Sequence, residues 1–165
     1  MIELVVTVAV LAILVAMAVP SFTSLINSNR LTSQANDLVA SLQLARSEAV
    51  RRNRSVTLCR TTNGTACAGA VGKWDRWIAV VPTAAGAVEV LRDSSIKQPL
   101  QITSAVDRIT FRPDGLARDA GGALLVTSLN VCMATSTPAQ NQRVLAVGSG
   151  SRMSITSASG AGACP

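Results

Sequence analysis

The residues in this chain able to do chemistry are few, and their types are restrictive. There is no histidine to serve as a general base or a metal ligand, and no tyrosine. The carboxylates Asp75, Asp93, Asp107, Asp114 and Asp119 are scattered, mostly in turn-like contexts. Gly148-Ser149-Gly150-Ser151 has the wrong serine spacing for a nucleophile elbow. No CxxC pair accompanies the four cysteines, so no zinc site is expected, and no Gly-rich phosphate loop is present. The sequence therefore reads as neither enzyme nor cofactor carrier, and binding and assembly remain. Three groups of residues bear on those. They are an isolated carboxylate, Glu3, beside an apolar run; the cysteines Cys59, Cys67, Cys132 and Cys164; and a surplus of arginine.

Glu3 is the most unusual of these. Leu4 to Val19 is a run of 16 residues in which only Thr7 is polar. As a helix it spans about 24 Å, and adding Ile2 and Pro20-Ser21-Phe22 brings it close to the ~30 Å of a bilayer core. An ionised carboxylate at the edge of such a segment is costly without a partner. The run lacks the basic n-region and small-residue cleavage site of a secretory signal peptide. Beyond Pro20 the pattern turns amphipathic. Leu31, Ala35, Leu38, Leu42, Ala45 and Ala49 are spaced alternately four and three apart, an apolar seam on one helix face. Asn29, Gln34, Asn36, Gln43 and Ser47 are assigned to the opposite face. Arg51, Arg52 and Arg54 fall where cations favour a helix C-terminus. One long helix to about Arg52 is expected, its second half docked on a domain.

After Arg54 the period changes. Strands are expected at Ser55–Cys59, Trp74–Val81, Val88–Leu91, Leu100–Thr103, Asp107–Arg112, Leu124–Met133, Arg143–Val147 and Arg152–Thr156. Turns are expected at 82–86 and at Arg112-Pro113-Asp114-Gly115. Trp77, Ala79 and Val81 share one strand face. The fold class is α+β, a long N-terminal helix packed on a mostly antiparallel β domain. Three segments follow: residues 1–20 for membrane and assembly, 21–54 as the amphipathic half of the helix, and 55–165 as the β-rich globular domain. Four cysteines allow three disulfide connectivities, and the one least costly in topology is Cys59–Cys67 with Cys132–Cys164. Disulfides imply the periplasm or the cell exterior.

Ile2-Glu3-Leu4, a Val/Ala/Leu run and a proline seventeen residues after the glutamate resemble the N-terminus of type IV pilin-like proteins. Further along stand Ala45-Arg46-Ser47-Glu48-Ala49-Val50, Val56-Thr57-Leu58-Cys59, Trp74-Asp75-Arg76-Trp77, Phe111-Arg112-Pro113-Asp114-Gly115 and Val131-Cys132. This order resembles the GspH/FimT family of minor pilins and pseudopilins over nearly the whole chain, and the resemblance implies a type IV pilin-like fold, the long N-terminal helix packed on a mostly antiparallel two-sheet β domain. The resemblance implies that Glu3 is the glutamate that meets the N-terminal amine of a neighbouring subunit and sets register, and that Pro20 is the kink proline. In the family a leader is removed and the exposed Phe is methylated. Here Met1 stands where the family has Leu, so a mature start upstream of Met1 is an expectation.

The resemblance also implies the partners: other pilins through the helix, and the bacterial inner membrane, crossed once, with the domain periplasmic and later on the cell surface. Two functions follow within the family. One is a type IV pilus minor pilin that primes assembly and, in some members, binds DNA for natural transformation. The other is a pseudopilin of type II secretion. Residues 51–165 hold 13 basic and 6 acidic side chains, a surplus that favours phosphates without sequence preference and leans to the first. DNA-binding members carry Gly-Arg-x-Arg near the C-terminus. The matching stretch is Gly150-Ser151-Arg152-Met153-Ser154, where one arginine aligns and Ser154 replaces the second. Weak, salt-sensitive binding of double-stranded DNA is therefore expected at Arg152, with Arg143 and Arg118 assisting.

Overall fold

The computed structural model describes residues 1–83 and 87–165, apart from the side chains at 17, 18 and 20. Helix α1 runs Ile2–Arg52, about 76 Å at the ordinary rise. It stops at Asn53, whose backbone is left-handed (φ 49°), a conformation asparagine tolerates. The amides of Asn53 and Arg54 return to the carbonyls of Val50 and Ala49 at 3.3 and 3.2 Å, so the last turn is closed. The kink expected at Pro20 falls outside the described residues, as does most of the 82–86 turn.

Nine strands follow among the described residues: β1 Val56–Arg60, β2 Arg76–Pro82, β3 Val88–Ser95, β4 Leu100–Ser104, β5 Arg108–Phe111, β6 Ala117–Arg118, β7 Thr127–Met133, β8 Gln142–Val147 and β9 Met153–Ala158. They form two antiparallel sheets, ordered β3-β2-β1-β5-β6 and β4-β7-β8-β9. The α+β architecture, a long helix on two antiparallel sheets, is the one read from the sequence. One core joins all three layers. The seam residues Leu31, Ala35, Leu38, Leu42, Ala45 and Ala49 are fully buried. They meet Val56, Leu58, Trp77, Ala79, Ile109 and Phe111 of the first sheet and Ile102, Leu129, Val131, Leu145 and Val147 of the second. Alanine at three of the six seam positions lets the helix approach the sheets closely.

The outer face of the first sheet has its own small cluster, Cys59, Ile78 and Val80, with Cys67 packed against it. The Cys59–Cys67 disulfide holds the intervening loop there. The loop is also tied internally: the Thr61 hydroxyl donates to the Ala66 carbonyl at 2.6 Å, and Asn63 Oδ1 accepts from the amides of Thr65 and Ala66. Gly64 is needed in this loop, because its φ is +78° and a Cβ there would collide with the Arg76 guanidinium. The second disulfide, Cys132–Cys164, fastens the C-terminal segment to β7. Beside it, buried Asn141 donates to the carbonyls of Met133 (2.9 Å) and Ala163 (3.1 Å) and accepts from the Gly160 amide (2.7 Å).

Several details depart from the sequence reading. Gln34, assigned to the polar helix face, is buried, and its Oε1 accepts the Lys97 amide at 3.2 Å. A polar side chain lies inside because a loop amide needed an acceptor there. Trp74 precedes β2 instead of opening it. Its amide donates to Ile102 of the other sheet at 2.9 Å and its indole N–H to Val106 at 3.1 Å, so it bridges the open end between the sheets. Strand β3 extends to polar Ser95 because it pairs with β2 along its length as an edge strand. β7 begins at Thr127, not Leu124, which makes only an isolated bridge to Arg118. The two-residue β6 has too little sequence to show a period, and the Pro113-Asp114-Gly115 turn creates it by folding Ala117 back on Phe111.

Replacing a seam leucine tests the helix-on-sheet core. Leu42→Ala is expected to destabilise the protein by about 2–5 kcal/mol in urea titration, whereas exposed Gln43→Ala stays within about 0.5 kcal/mol.

Candidate assembly stem and basic surface

The first part of α1 leaves its apolar side chains exposed among the described residues. Ile2, Leu4, Val5, Leu11, Ile13 and Leu14 are each more than half exposed, and so are Val19, Phe22 and Leu25. The helix is long and apolar enough to cross a membrane, by length and composition. Glu3 lies in its first turn, where a negative charge complements the helix dipole. No cation of this chain reaches it among the described residues.

The three arginines expected to act together are separated by the fold. Arg143 is only 7% exposed. Its Nε and Nη2 donate to Thr32 Oγ1 (3.3 Å) and Ser28 Oγ (2.9 Å) on the stem, and its Nη1 to the carbonyls of Gln140 (3.1 Å) and Gln142 (3.0 Å). It clamps β8 to α1 and presents no guanidinium to a duplex, which corrects its assignment to a DNA patch. Register places it opposite Ser157, while Arg152 adjoins the Val147–Met153 pair at the other end of the β8–β9 hairpin. Four residues of strand separate those ends, roughly 13 Å.

Arg152 and Arg118 do share one end of the molecule. The link is Ser151, buried and left-handed (φ 59°). Its hydroxyl accepts the Ala117 amide at 2.6 Å, and its carbonyl accepts Arg46 Nη1 at 3.2 Å. This draws β6, the β8–β9 turn and the stem together. Arg152 is exposed and makes no ion pair among the described residues, and the same holds for Arg112. Arg118 is less free: Asp114 Oδ2 accepts from it at 2.9 Å and the Gly122 carbonyl at 3.0 Å. The sequence reading missed Arg46 and Arg112 as neighbours of this end. Arg112 was visible as the first residue of the Pro-Asp-Gly turn, but Arg46 is brought there only by helix docking.

The remaining charges are largely paired. Arg51 and Arg52 both grip Glu48 at 2.6 Å, and Arg52 also reaches Glu89 at 2.7 Å. Arg92 on β3 reaches Asp37 on the stem at 2.5 Å, and Arg76 pairs with Asp93. Hydrogen bonds from Arg51 and then Arg52 lower the Glu48 carboxyl from 4.5 to about 2. The carboxyls of Asp93 and Asp107 are lowered by Arg76 and Arg108, and that of Asp114 by the Leu116 amide and then Arg118.

A bare apolar helix ahead of a two-sheet antiparallel domain defines a pilin-like subunit. The family model described as "Type II transport protein GspH" matches residues 34–157, well over half the chain, and the chain belongs to that family. Among solved structures it is similar to the type IV minor pilin FimU of Pseudomonas aeruginosa, with 23% identity, 78% of this chain and 90% of that one covered, and a TM-score of 0.58. It is also similar to the minor pseudopilin EpsH of the Vibrio cholerae type 2 secretion system, with 11% identity, coverage of 78% and 97%, and a TM-score of 0.57. At these identities the likeness is one of fold. No curated protein sequence matches the chain significantly. Minor pilins and pseudopilins are structural proteins that assemble with other pilins in pilus or secretion systems.

The Glu48 cluster gives a pH test. A carboxyl lowered on folding adds stability that is fully present above its unfolded value near 4.5 and is lost as pH falls through about 2. The stability difference between the protein and Glu48→Gln, from chemical denaturation, is expected to be constant from pH 7 to near 4.5 and to vanish toward pH 2.

Proposed function

We propose that this protein is a minor pilin of a type IV pilus, anchored by residues 1–20 in the bacterial inner membrane with its β-rich domain, residues 55–165, in the periplasm. There it primes pilus assembly and joins the filament at the cell surface. The observation that carries the assembly role is the uncovered apolar half of α1, with Glu3 in no ion pair among the described residues. In this reading the stems of neighbouring pilins cover that surface, residues 21–54 carry the domain, Pro20 supplies a kink, and Glu3 sets register against a neighbour's N-terminal amine. Expression of a full-length gene carrying Glu3→Ala is expected to give a folded, membrane-bound protein that fails to enter filaments. Normal incorporation in sheared pilus fractions would refute the register role.

A secondary role in DNA uptake is proposed for the end of the domain bearing Arg152. Its support is the basic surplus of residues 51–165 together with the exposure of Arg152 and Arg112. Phosphate contacts of this kind are sequence-independent and weaken steeply with salt. Arg152→Ala is expected to abolish gel retardation of double-stranded DNA at low salt. Arg143→Ala, which removes a clamp instead of a contact, leaves retardation in place while lowering stability by about 1–3 kcal/mol. Retardation unchanged by Arg152→Ala would end this role.

The second reading is a GspH-like pseudopilin of type II secretion, favoured by the description of the matching family model. Genetic complementation separates the two: loss of piliation on deletion supports the first, and loss of exoprotein secretion with intact pili supports the second.

A further inference from the structure

The domain carries a groove against the stem, just beyond its uncovered apolar half, that none of the roles above uses. It encloses about 690 Å³ and is lined by Ile26, Arg30, Ser33, Lys97, Gln98 and Leu100, among others. Ile26 and Leu100 make it apolar on one side, and Arg30 and Lys97 supply two cations. Neither cation is in an ion pair among the described residues. Asp37, the one carboxylate in the lining, is already held by Arg92 at 2.5 Å. The turn bearing Lys97 is fixed in place. The Lys97 amide donates to buried Gln34 at 3.2 Å, and its carbonyl accepts the Leu100 amide at 3.1 Å. The groove is thus a built, positively charged recess with an apolar wall.

Its height along the stem narrows what could fill it. A hydrocarbon core of ~30 Å counted from Leu4 ends near Thr23. Phe22, Leu25 and Ile26 remain exposed at and just beyond that level. The Arg30 backbone follows about 10 Å further along the axis, a few Å outside a headgroup layer about 5–8 Å thick and within reach of it for a long side chain. Helical side chains lean toward the N-terminus, so Arg30 leans back toward the bilayer, and long basic side chains reach for such an interface.

We propose that Arg30 and Lys97 bind the phosphate of an anionic phospholipid headgroup, whose glycerol and upper acyl atoms lie against Ile26. This contact seats the domain on the membrane before the subunit leaves it. The proposal rests on the reading of the stem as a bilayer-spanning helix.

The test places the full chain in nanodiscs of phosphatidylcholine alone or with about 30 mol % phosphatidylglycerol, and follows amide hydrogen exchange at residues 96–98. Phosphatidylglycerol is expected to slow exchange there at least about threefold, an effect lost in about 0.5 M NaCl and in the double variant Arg30→Gln, Lys97→Gln. The charge-retaining pair Arg30→Lys, Lys97→Arg keeps the effect, and it decides the matter should the double variant unfold. Equal exchange in both lipids overturns the proposal, as does an effect that survives loss of both charges. Slowing that follows the number of copies per disc instead of the lipid assigns the groove to a second copy of the chain, and also overturns it. Failure of the chain to enter either disc overturns the bilayer-spanning reading and this site together, whereas entry without a lipid effect overturns this site alone.

Discussion

Everything else in the molecule depends on the contact between one face of α1 and both sheets. Six residues, Leu31 to Ala49, are completely buried there. Without the helix the inner faces of the two sheets would have no common partner, because the sheets share no strand. A seam alone, however, fixes a helix only loosely in rotation and slide, since apolar contacts are non-directional. The polar ties supply the rest. The Ser41 hydroxyl accepts the Trp77 indole at 3.0 Å inside the core. Gln34 holds the Lys97 amide, Asp37 meets Arg92, and the Asn27 amide side chain donates to the Thr137 carbonyl at 2.8 Å. Arg143 binds Ser28 and Thr32. Together these ties bind the seam's upstream half to loops and strands of both sheets.

Arg143 shows why such ties tolerate little change. A guanidinium with little exposure is normally matched by a carboxylate, yet its acceptors here are two hydroxyls and two carbonyls. Their geometry suits the planar fork of arginine and not a lysine ammonium. The same residue that appeared to enlarge a nucleic-acid surface is consumed in joining β8 to the stem. Net charge and available charge therefore differ in this protein. Of the arginines in residues 51–165, most have side chains spent on carboxylates or carbonyls, and Arg112 and Arg152 are the ones whose guanidinium groups make no ion pair or hydrogen bond among the described residues.

What was legible in the sequence follows from periodicity. The four-three spacing of the seam needs only helical geometry, and the alternation around Trp77, Ala79 and Val81 needs only a pleat, so both were readable locally. Gln34, Trp74 and Arg143 were not. Their environments are set by partners 63, 28 and 111 residues away, and no local pattern marks a glutamine chosen to satisfy a distant amide. The arginine-bearing end was half legible. Arg152 and Arg118 could be named, but their meeting depends on Ser151, a left-handed serine in an unremarkable Gly/Ser stretch. Arg46 and Arg112 join them only through docking of the stem and the turn after β5.

The stem's other half poses an energetic problem that the domain cannot solve. Among the described residues, fourteen large apolar side chains between Ile2 and Ile26 stand exposed, and covering them is worth roughly 20–40 kcal/mol at the usual 1.5–3 kcal/mol each. That exceeds the 5–15 kcal/mol by which a domain of this size is typically stable. On the proposed reading the stem therefore governs where the protein resides, and the domain keeps its fold when the subunit passes from membrane to filament. Lipid and a bundle of like helices are equally apolar, so moving from one to the other changes little of this term. On the proposed reading the direction of that passage comes from the few polar groups along the stem. On that reading Glu3, which is in no ion pair among the described residues, gains its partner from a neighbouring subunit, and the proposed lipid site sets the cations of Arg30 and Lys97 at the boundary between membrane and domain. A long apolar helix supplies the affinity, and isolated charges at its two ends select where that affinity is used.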